Sequence, residues 1–447
     1  MKIQMPEKVK FIIETIQAAG FEAYAVGGCI RDSLLGRTPN DWDITTSARP
    51  EEVKALFRRT IDTGIQHGTV TVMMDKEGFE VTTYRIDGEY EDSRHPKEVL
   101  FTSNLVEDLK RRDFTINAMA YNDKDGLVDA FCGKEDLQQG IIRCVGSPME
   151  RFTEDALRIM RAIRFSAQLG YEIEEETLKA IAQLAPTLSR ISAERIQVEL
   201  LKLITSPHPE YLRIAYETGV TKVIFPEWDA AMETEQNHPH HCYNVGEHTL
   251  CALVNVPADK VLRLAILFHD IAKPVTVQTD EEGITHFHGH AEEGEKISRE
   301  IMRRLRMDND TIGKVSKLVK YHDYGNGVTP TGKIVRRAIY KVSEELFPLL
   351  LEVRKADTLA QSMYLREEKL ANLEEWTGIF EDIIKQQDCV SLKTLAVTGS
   401  DLIAAGLQPG KQLGDTLNEL LEMVLEDPSK NTKEILLNEA LKRYSNP

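Results

Sequence analysis

A glycine pair followed by an arginine and then by two spaced aspartates constrains this chain more than any other stretch. Glu22 to Val26 is mostly apolar, Gly27-Gly28 interrupts it, Ile30 to Leu35 is a short run, and Asp41-Trp42-Asp43 opens the next. That order predicts strand, glycine turn, short helix, strand. Residues two apart on a strand share a face, so Asp41 and Asp43 present two carboxylates together while Trp42 points the other way. Two hard oxygen ligands suit Mg²⁺, and a pair of ions about 3.5–4 Å apart activates a hydroxyl and holds a triphosphate. Gly28 lets backbone N–H groups approach phosphate at a helix start, and Arg31 adds a cationic fork. Taken singly, a Gly-Gly is a turn, and Asp41 to Asp43 after Pro39-Asn40 are turn residues. A turn does not need the combination. A third carboxylate is expected from a neighbouring strand, Glu80 ahead of Asp75.

Around this core the pattern is α+β. Val9, Ile12, Ile13 and Ile16 repeat at helical spacing between Pro6 and Gly20, with Pro near the start and Gly past the end. Thr69 to Met74 and Phe79 to Tyr84 alternate around Asp75 to Gly78, predicting a hairpin. From Pro148 onward helical periods dominate: Glu154 to Leu169, Glu174 to Leu184, Ala193 to Leu203 and Val261 to Ala272. Pro207 to Pro209 and Pro226 to Pro239 read as linkers, and Leu392 to Tyr444 as helix with one turn at Pro409-Gly410. The expected architecture is a small mixed-sheet head over 1–147, an all-helical neck over 148–232, a helical domain over 233–362 and a helical tail over 363–447.

The segment Ala25 to Asp32 with Asp41-Trp42-Asp43 resembles the head of polymerase-β-type nucleotidyltransferases. Arg111 to Tyr121 resembles the second motif of class II tRNA nucleotidyltransferases, Glu154-Asp155-Ala156-Leu157-Arg158 their nucleotide-reading motif, and Ile191 to Ile196 a later helical motif. The resemblance covers roughly residues 20–205. It implies that Arg112 and Asp113 sense the ribose, that Asp155 and Arg158 read the base, and that Arg161 and Arg164 also contact the nucleotide. The stretch Asp87 to Phe101, with Arg94-His95-Pro96, corresponds to an element that in such enzymes supports the switch from C to A addition.

Cytosine and adenine both present an amino donor beside a ring-nitrogen acceptor, whereas uracil and guanine present a carbonyl beside an N–H. A carboxylate only accepts and a guanidinium only donates. Asp155 and Arg158, three apart on a predicted helix, would therefore suit C and A and meet U and G like with like. On spacing alone Glu154, Asp155, Arg158 and Arg161 make ordinary solvated helix ion pairs; the upstream motifs favour the reader.

A second cluster follows. His269-Asp270 interrupts the apolar run Ala265 to Ile271, and His248, His290, His322 and Asp357 complete a row of imidazoles and carboxylates. An ionisable pair in an apolar run is costly unless a partner or metal satisfies it. The pattern resembles an HD-type metal phosphohydrolase domain, which some tRNA nucleotidyltransferases carry, and implies a second metal site; mixed imidazole and carboxylate ligands suit a transition metal such as Mn, Fe or Ni, or else Mg. Basic residues at Arg303, Arg304, Arg306, Lys314, Lys317, Lys320, Arg336 and Arg337 are phosphate-contact candidates or solvated faces.

Composition bounds the rest. Acidic residues outnumber basic ones 72 to 55, a net charge of −17, which argues against a general coat for DNA or an anionic membrane. No apolar run reaches membrane-spanning length, and six cysteines lack CxxC spacing, so a cytoplasmic protein with reduced thiols is expected. Together these features predict template-independent addition of C, C and A to the tRNA 3′ end from CTP and ATP. The competing expectations are a partial A-adding or CC-adding enzyme, a poly(A) polymerase, and an HD-type phosphohydrolase whose N-terminal half binds RNA.

Overall fold

The computed structural model describes residues 2–87 and 99–444; most of the Asp87 to Phe101 element, including Arg94-His95-Pro96, lies outside the described residues. The chain divides into two compact units, Met1–Pro226 and Glu227–Pro447.

The first unit is built on one mixed sheet. Helix α1 (Glu7–Ala18) buries Val9, Ile12, Ile13 and Ile16, the apolar stripe at 3.6-residue spacing. It leads into β1 (Ala23–Val26), α2 (Gly28–Leu34), β2 (Asp43–Thr46), α3 (Pro50–Leu56), β3 (Thr60–Gly64), β4 (Thr69–Met74) and β5 (Glu77–Thr83). The short ladder of β6 (Arg85–Asp87) with β7 (Val99–Phe101) precedes α4 (Leu105–Lys110), β8 (Ala120–Asn122) and β9 (Gly126–Val128). The sheet order is β3-β4-β5-β2-β1-β8-β9. Only β2 and β5 run parallel in it; the other neighbours are antiparallel. The β4–β5 hairpin is tighter than its sequence suggests: Met74 already pairs with Glu77, leaving Asp75-Lys76 as the loop. Asp75 takes the left-handed backbone at φ 59° that such a two-residue loop requires.

Helices α5 (Gly133–Gln139), α6 (Pro148–Glu154), α7 (Leu157–Leu169), α8 (Glu175–Leu184) and α9 (Ala193–Ile204) complete most of this unit. The helix expected from Glu154 to Leu169 is broken. Asp155 is extended, at φ −138° and ψ 102°, between α6 and α7, and its Oδ1 accepts from the Leu157 N–H. A side chain that competes for backbone donors at a helix start ends one helix and begins the next.

The second unit is mainly helical. Helices Val245–Val254, Lys260–Phe268, His290–Arg304, Asn309–Tyr321 and Phe347–Ala360 pack against one another, and Phe268, Phe347, Trp228 and Trp376 are fully buried. Residues Cys389 to Ala440 hold a separate apolar cluster built from Leu402, Leu420, Leu425 and Leu436. Pro226–Glu233 is a helix rather than a linker, since proline at the first helical position needs no N–H partner. The tail is likewise more broken than its sequence suggests, with helices Gly399–Ala404, Lys411–Glu426 and Lys433–Tyr444.

Candidate functional site

In the first unit the site gathers at the end of β1. Gly27 follows Val26 at φ 85° and ψ −132°, a conformation that glycine alone adopts without strain. It turns the chain into α2, whose first residue is Gly28. Val26 faces Asp43 across the β1–β2 register, so the strand that ends at the glycines lies beside the acidic pair. Asp41 and Asp43 are exposed while Trp42 is 8% exposed; the predicted alternation holds although Asp41 precedes the strand. On the other side Ile44 pairs with Val81 in parallel register, which sets Glu80 level with Asp43 on the adjacent strand. Glu80 is exposed. Asp75, the weaker candidate, sits at the hairpin tip, 3.2 Å from the Lys8 Nζ.

Arg112 closes this site from above. A β-carbon on Gly27 would lie 2.8 Å from the Arg112 Nη1, so the absent side chain is what admits the guanidinium. Although the side chain keeps access to water, partial desolvation by the neighbouring atoms raises the Asp43 pKa, the Arg112 charge opposes the rise and Asp41 adds to it. Burial likewise lowers the Arg112 pKa against the pull of Asp108. The Arg112 Nε meets no hydrogen-bond partner among the described residues.

A charged network continues from there. Arg31 donates to the Asn117 Oδ1 at 2.8 Å, and the Asn117 Nδ2 donates to the Asp113 Oδ1 at 3.2 Å. Asp113 accepts from the Arg161 Nε and Nη2 at 2.9 and 2.6 Å through its other oxygen. Burial opposes the Asp113 charge, yet Arg161 outweighs it and holds the carboxyl well below the usual range. Arg164 donates through Nε to the Glu199 Oε2 at 2.7 Å. Arg31, Arg161 and Arg164 share the Phe165 ring, with guanidinium carbons 5.0, 5.3 and 3.7 Å from its centroid. Such stacking fixes planar cations.

The two base-reading candidates are not side by side on one helix. Asp155 accepts from the Arg195 Nη2 at 2.8 Å, while Arg158 donates to the Glu154 Oε2 at 2.6 Å and to the Arg111 carbonyl at 3.0 Å. The Glu154–Arg158 pair is the helix ion pair that spacing alone predicts, whereas Arg195 as the partner of Asp155 was not foreseen. Arg195 stands in the segment Ile191 to Ile196 that the motif resemblance had marked, so a signal existed; nothing in spacing alone connected it to Asp155.

The second unit brings His248, His269, Asp270, His290, His322 and Asp357 together. His248, His269 and Asp270 form one triad of ligand atoms, and Asp270, His290 and His322 another. The Asp270 Oδ2 lies 3.2 Å from the His269 Nε2, and its Oδ1 lies 3.5 and 3.7 Å from the Nε2 atoms of His290 and His322. Asp357 approaches the His248 Nε2 at 2.9 Å. The Nδ1 atoms of His269, His290 and His322 sit 2.7, 2.8 and 2.7 Å from the carbonyls of Ile266, Phe287 and Val319. A carbonyl only accepts, so each Nδ1 carries the proton and turns its Nε2 lone pair inward. Nε2 atoms of His248 and His269 then face each other at 3.2 Å, as do those of His290 and His322. Imidazole nitrogens turned toward one another with two carboxylates among them form a donor set that would suit a cation.

Several basic candidates already have acidic partners, and of these Arg336 is buried. Arg336 is 8% exposed and binds Asp388 at 3.0 Å and the Leu425 carbonyl at 2.8 Å. Arg304 pairs with Glu227, Lys314 with Glu345, Lys320 with Glu295 and Arg337 with Glu422. All six cysteines are unpaired, and among the described residues no helix is long and apolar enough to cross a membrane.

Three family profiles match in turn: the poly A polymerase head domain over residues 23–143, an RNA and SrmB-binding site of polymerase A over 170–232, and tRNA nucleotidyltransferase domain 2 over 275–440. The chain is 36% identical over 440 residues to a CCA-adding enzyme of Enterococcus faecalis, covering 97% of this chain and 95% of that one. It is 35% identical over 430 residues to a CCA-adding enzyme of Lactobacillus helveticus, covering 95% and 94%. Its fold is similar to the crystal structure of the Bacillus stearothermophilus CCA-adding enzyme in complex with CTP, at a TM-score of 0.73 and 28% identity, covering 99% and 98% of the two chains.

Proposed function

This chain belongs to the CCA-adding enzymes, which add C, C and A to the 3′ end of tRNA from CTP and ATP, and we propose that Asp41, Asp43 and Glu80 are its catalytic carboxylates. The observation that carries this assignment is the register that sets Glu80 level with Asp43, beside the glycine turn occupied by Arg112. Asp41 and Asp43 would hold Mg²⁺; when bound, the ion supplies Lewis-acid stabilisation of phosphate charge. Gly28 and Arg31 seat the triphosphate, and Arg112 with Asp113 orients the sugar. The terminal hydroxyl of the RNA attacks the α-phosphorus, the bond to the β-phosphate oxygen breaks, and pyrophosphate leaves.

Asp155 and Arg158 read the base, with Arg161 and Arg164 holding the wall behind them. Because Asp155 is bound by Arg195 and Arg158 by Glu154, reading requires these partners to yield or to share their hydrogen bonds with the incoming base. The Bacillus relative was solved in complex with CTP, which supports a nucleotide site in this chain. The division into head 1–147, neck 148–232, HD-type domain 233–362 and tail 363–447 separates the tasks, with chemistry in the head and recognition of RNA shape in the helical regions that follow.

The His/Asp cluster is a second metal centre, and its opposed Nε2 atoms support that reading. His248, His269, Asp270 and Asp357 face one position, and Asp270, His290 and His322 another. Manganese, iron or nickel fits this mixed imidazole and carboxylate set. A tRNA substrate and six unpaired thiols support a cytoplasmic location.

Incubation with tRNA lacking CCA, or ending in C or CC, with one labelled nucleotide at a time, tests the head. CTP should enter the first two substrates and ATP only the last. Equal incorporation of UTP would defeat the base-reading assignment.

A further inference from the structure

Asn117 stands between Arg31, on the triphosphate side of the head site, and Asp113, on its sugar side. The side chain is buried. Its Oδ1 accepts from the Arg31 Nη1 at 2.8 Å and its Nδ2 donates to the Asp113 Oδ1 at 3.2 Å. A guanidinium only donates and a carboxylate only accepts, so a group between them must accept on one side and donate on the other. An amide does both, and these two neighbours fix which way it points.

The backbone beneath it is held by the protein itself. Asn117 ends the 3₁₀ turn Thr115–Asn117, and its N–H donates to the Phe114 carbonyl at 2.9 Å. The Thr115 Oγ1 donates to the Asp136 Oδ2 at 2.7 Å, and a β-carbon on Gly133 would overlap the Thr115 carbonyl oxygen, so α5 packs directly on the turn. The Gly27 N–H donates to the Met119 carbonyl at 3.1 Å, which ties the same segment to the glycine turn. Arg31 is gripped on its other side by Asp32, Nε to Oδ1 at 2.9 Å, and Asp113 by Arg161. One partner leaves a planar group free to pivot; the shared amide removes that freedom from both.

We propose that Asn117 is a positioning residue for nucleotide addition. Through one amide it fixes the Arg31 fork for the triphosphate and the Asp113 carboxylate for the ribose, so the preference for a ribonucleotide over its 2′-deoxy counterpart depends on it. It acts through these two residues and not by contact with the nucleotide. The proposal deepens, and rests on, the reading of Arg31 as triphosphate seat and of Asp113 as sugar contact. Aspartate has the shape of the amide but only accepts, and at this position it would set a carboxylate against the Asp113 Oδ1.

The test is steady-state addition to tRNA ending in C, with CTP and with 2′-deoxy-CTP, by the full chain and by Asn117→Ala and Asn117→Asp. Both variants should raise the KM for CTP about fivefold or more with kcat within about threefold of the parent, and lower the ratio of kcat/KM for CTP over 2′-deoxy-CTP by about fivefold or more. Asn117→Asp should be the worse of the two; a residue that merely fills space predicts the reverse order, because aspartate keeps the volume. Parental KM in folded variants, a raised KM with unchanged sugar preference, or an aspartate variant closer to the parent than the alanine one overturns the proposal. Arg31→Ala and Asp113→Asn are measured beside them. If neither changes the KM for CTP or the sugar preference, the reading of the two seats fails and takes the proposal with it; if both do and the Asn117 variants do not, the proposal alone falls. Should neither Asn117 variant fold, the Arg31→Ala, Asp113→Asn double variant decides: single effects on kcat/KM that multiply show no link through the amide and overturn the proposal, while a double effect smaller than their product supports it.

Discussion

The Arg112 guanidinium occupies the space that a side chain on Gly27 would fill, 2.8 Å from the position of the missing β-carbon. Gly27 thus serves twice, as the residue whose positive φ turns β1 into α2 and as the opening through which a cation reaches the acidic pair.

Gly27→Ala should therefore weaken nucleotide addition and stability together. The left-handed backbone costs an alanine about 1 kcal/mol, and the new methyl pushes Arg112 away from Asp43. The expected outcome is a lower urea midpoint and a raised KM for CTP. An alanine variant with parental kinetics would show that the Arg112 position does not matter.

Asp43→Ala should abolish incorporation of labelled CTP and ATP, by about a thousandfold or more, as expected when a group stabilising developing charge is lost. The side chain is exposed, so the melting temperature should stay within about 1 °C of the parent for a change worth under about 0.5 kcal/mol.

Arg195→Ala frees Asp155 from the cation that holds it at 2.8 Å. Base choice should blur, with misincorporated UTP rising several-fold while tRNA affinity by filter binding changes little. Arg158→Ala should blur it further, since the donor to the ring nitrogen is then lost as well. Unchanged selectivity in both variants would remove these residues from base reading.

The Asp113–Arg161 pair predicts a pH dependence of stability. The Asp113 carboxyl is held below its ordinary value of about 3.9, so its contribution is present above that value and is lost as pH falls through the folded-state value. Urea midpoints should drop below about pH 4 more steeply in the parent than in Asp113→Asn. At pH 7 the variant should be less stable by about 2 kcal/mol, from loss of a charge-assisted pair whose arginine is partly solvated.

Chelation should act on the second unit. Stripping divalent ions is expected to lower its unfolding temperature, and manganese to restore it, because a ligand bound only by the folded state stabilises by mass action. His269→Ala should erase the manganese response. A parent chain whose melting is indifferent to manganese would count against the metal centre.

Much of this was legible in the sequence because it depends on short-range geometry. Strand alternation put Asp41 and Asp43 on one side with Trp42 on the other, glycine spacing marked the turn, and the 3.6-residue stripe of α1 buried its four apolar residues. The histidine and aspartate row was likewise visible, since an ionisable pair inside an apolar run signals a partner.

Three features were decided only by the folded chain. Asp155 broke the expected helix because its carboxylate caps the next one; Arg195, forty positions away, became its partner; and Asn117, an ordinary amide in the sequence, became the link between Arg31 and Asp113. Periodicity reports which face a residue takes on its own element. Which carboxylate a guanidinium meets, or whether it meets one, depends on how distant elements cross, and that is fixed by packing of the core rather than by the residues that carry the charge.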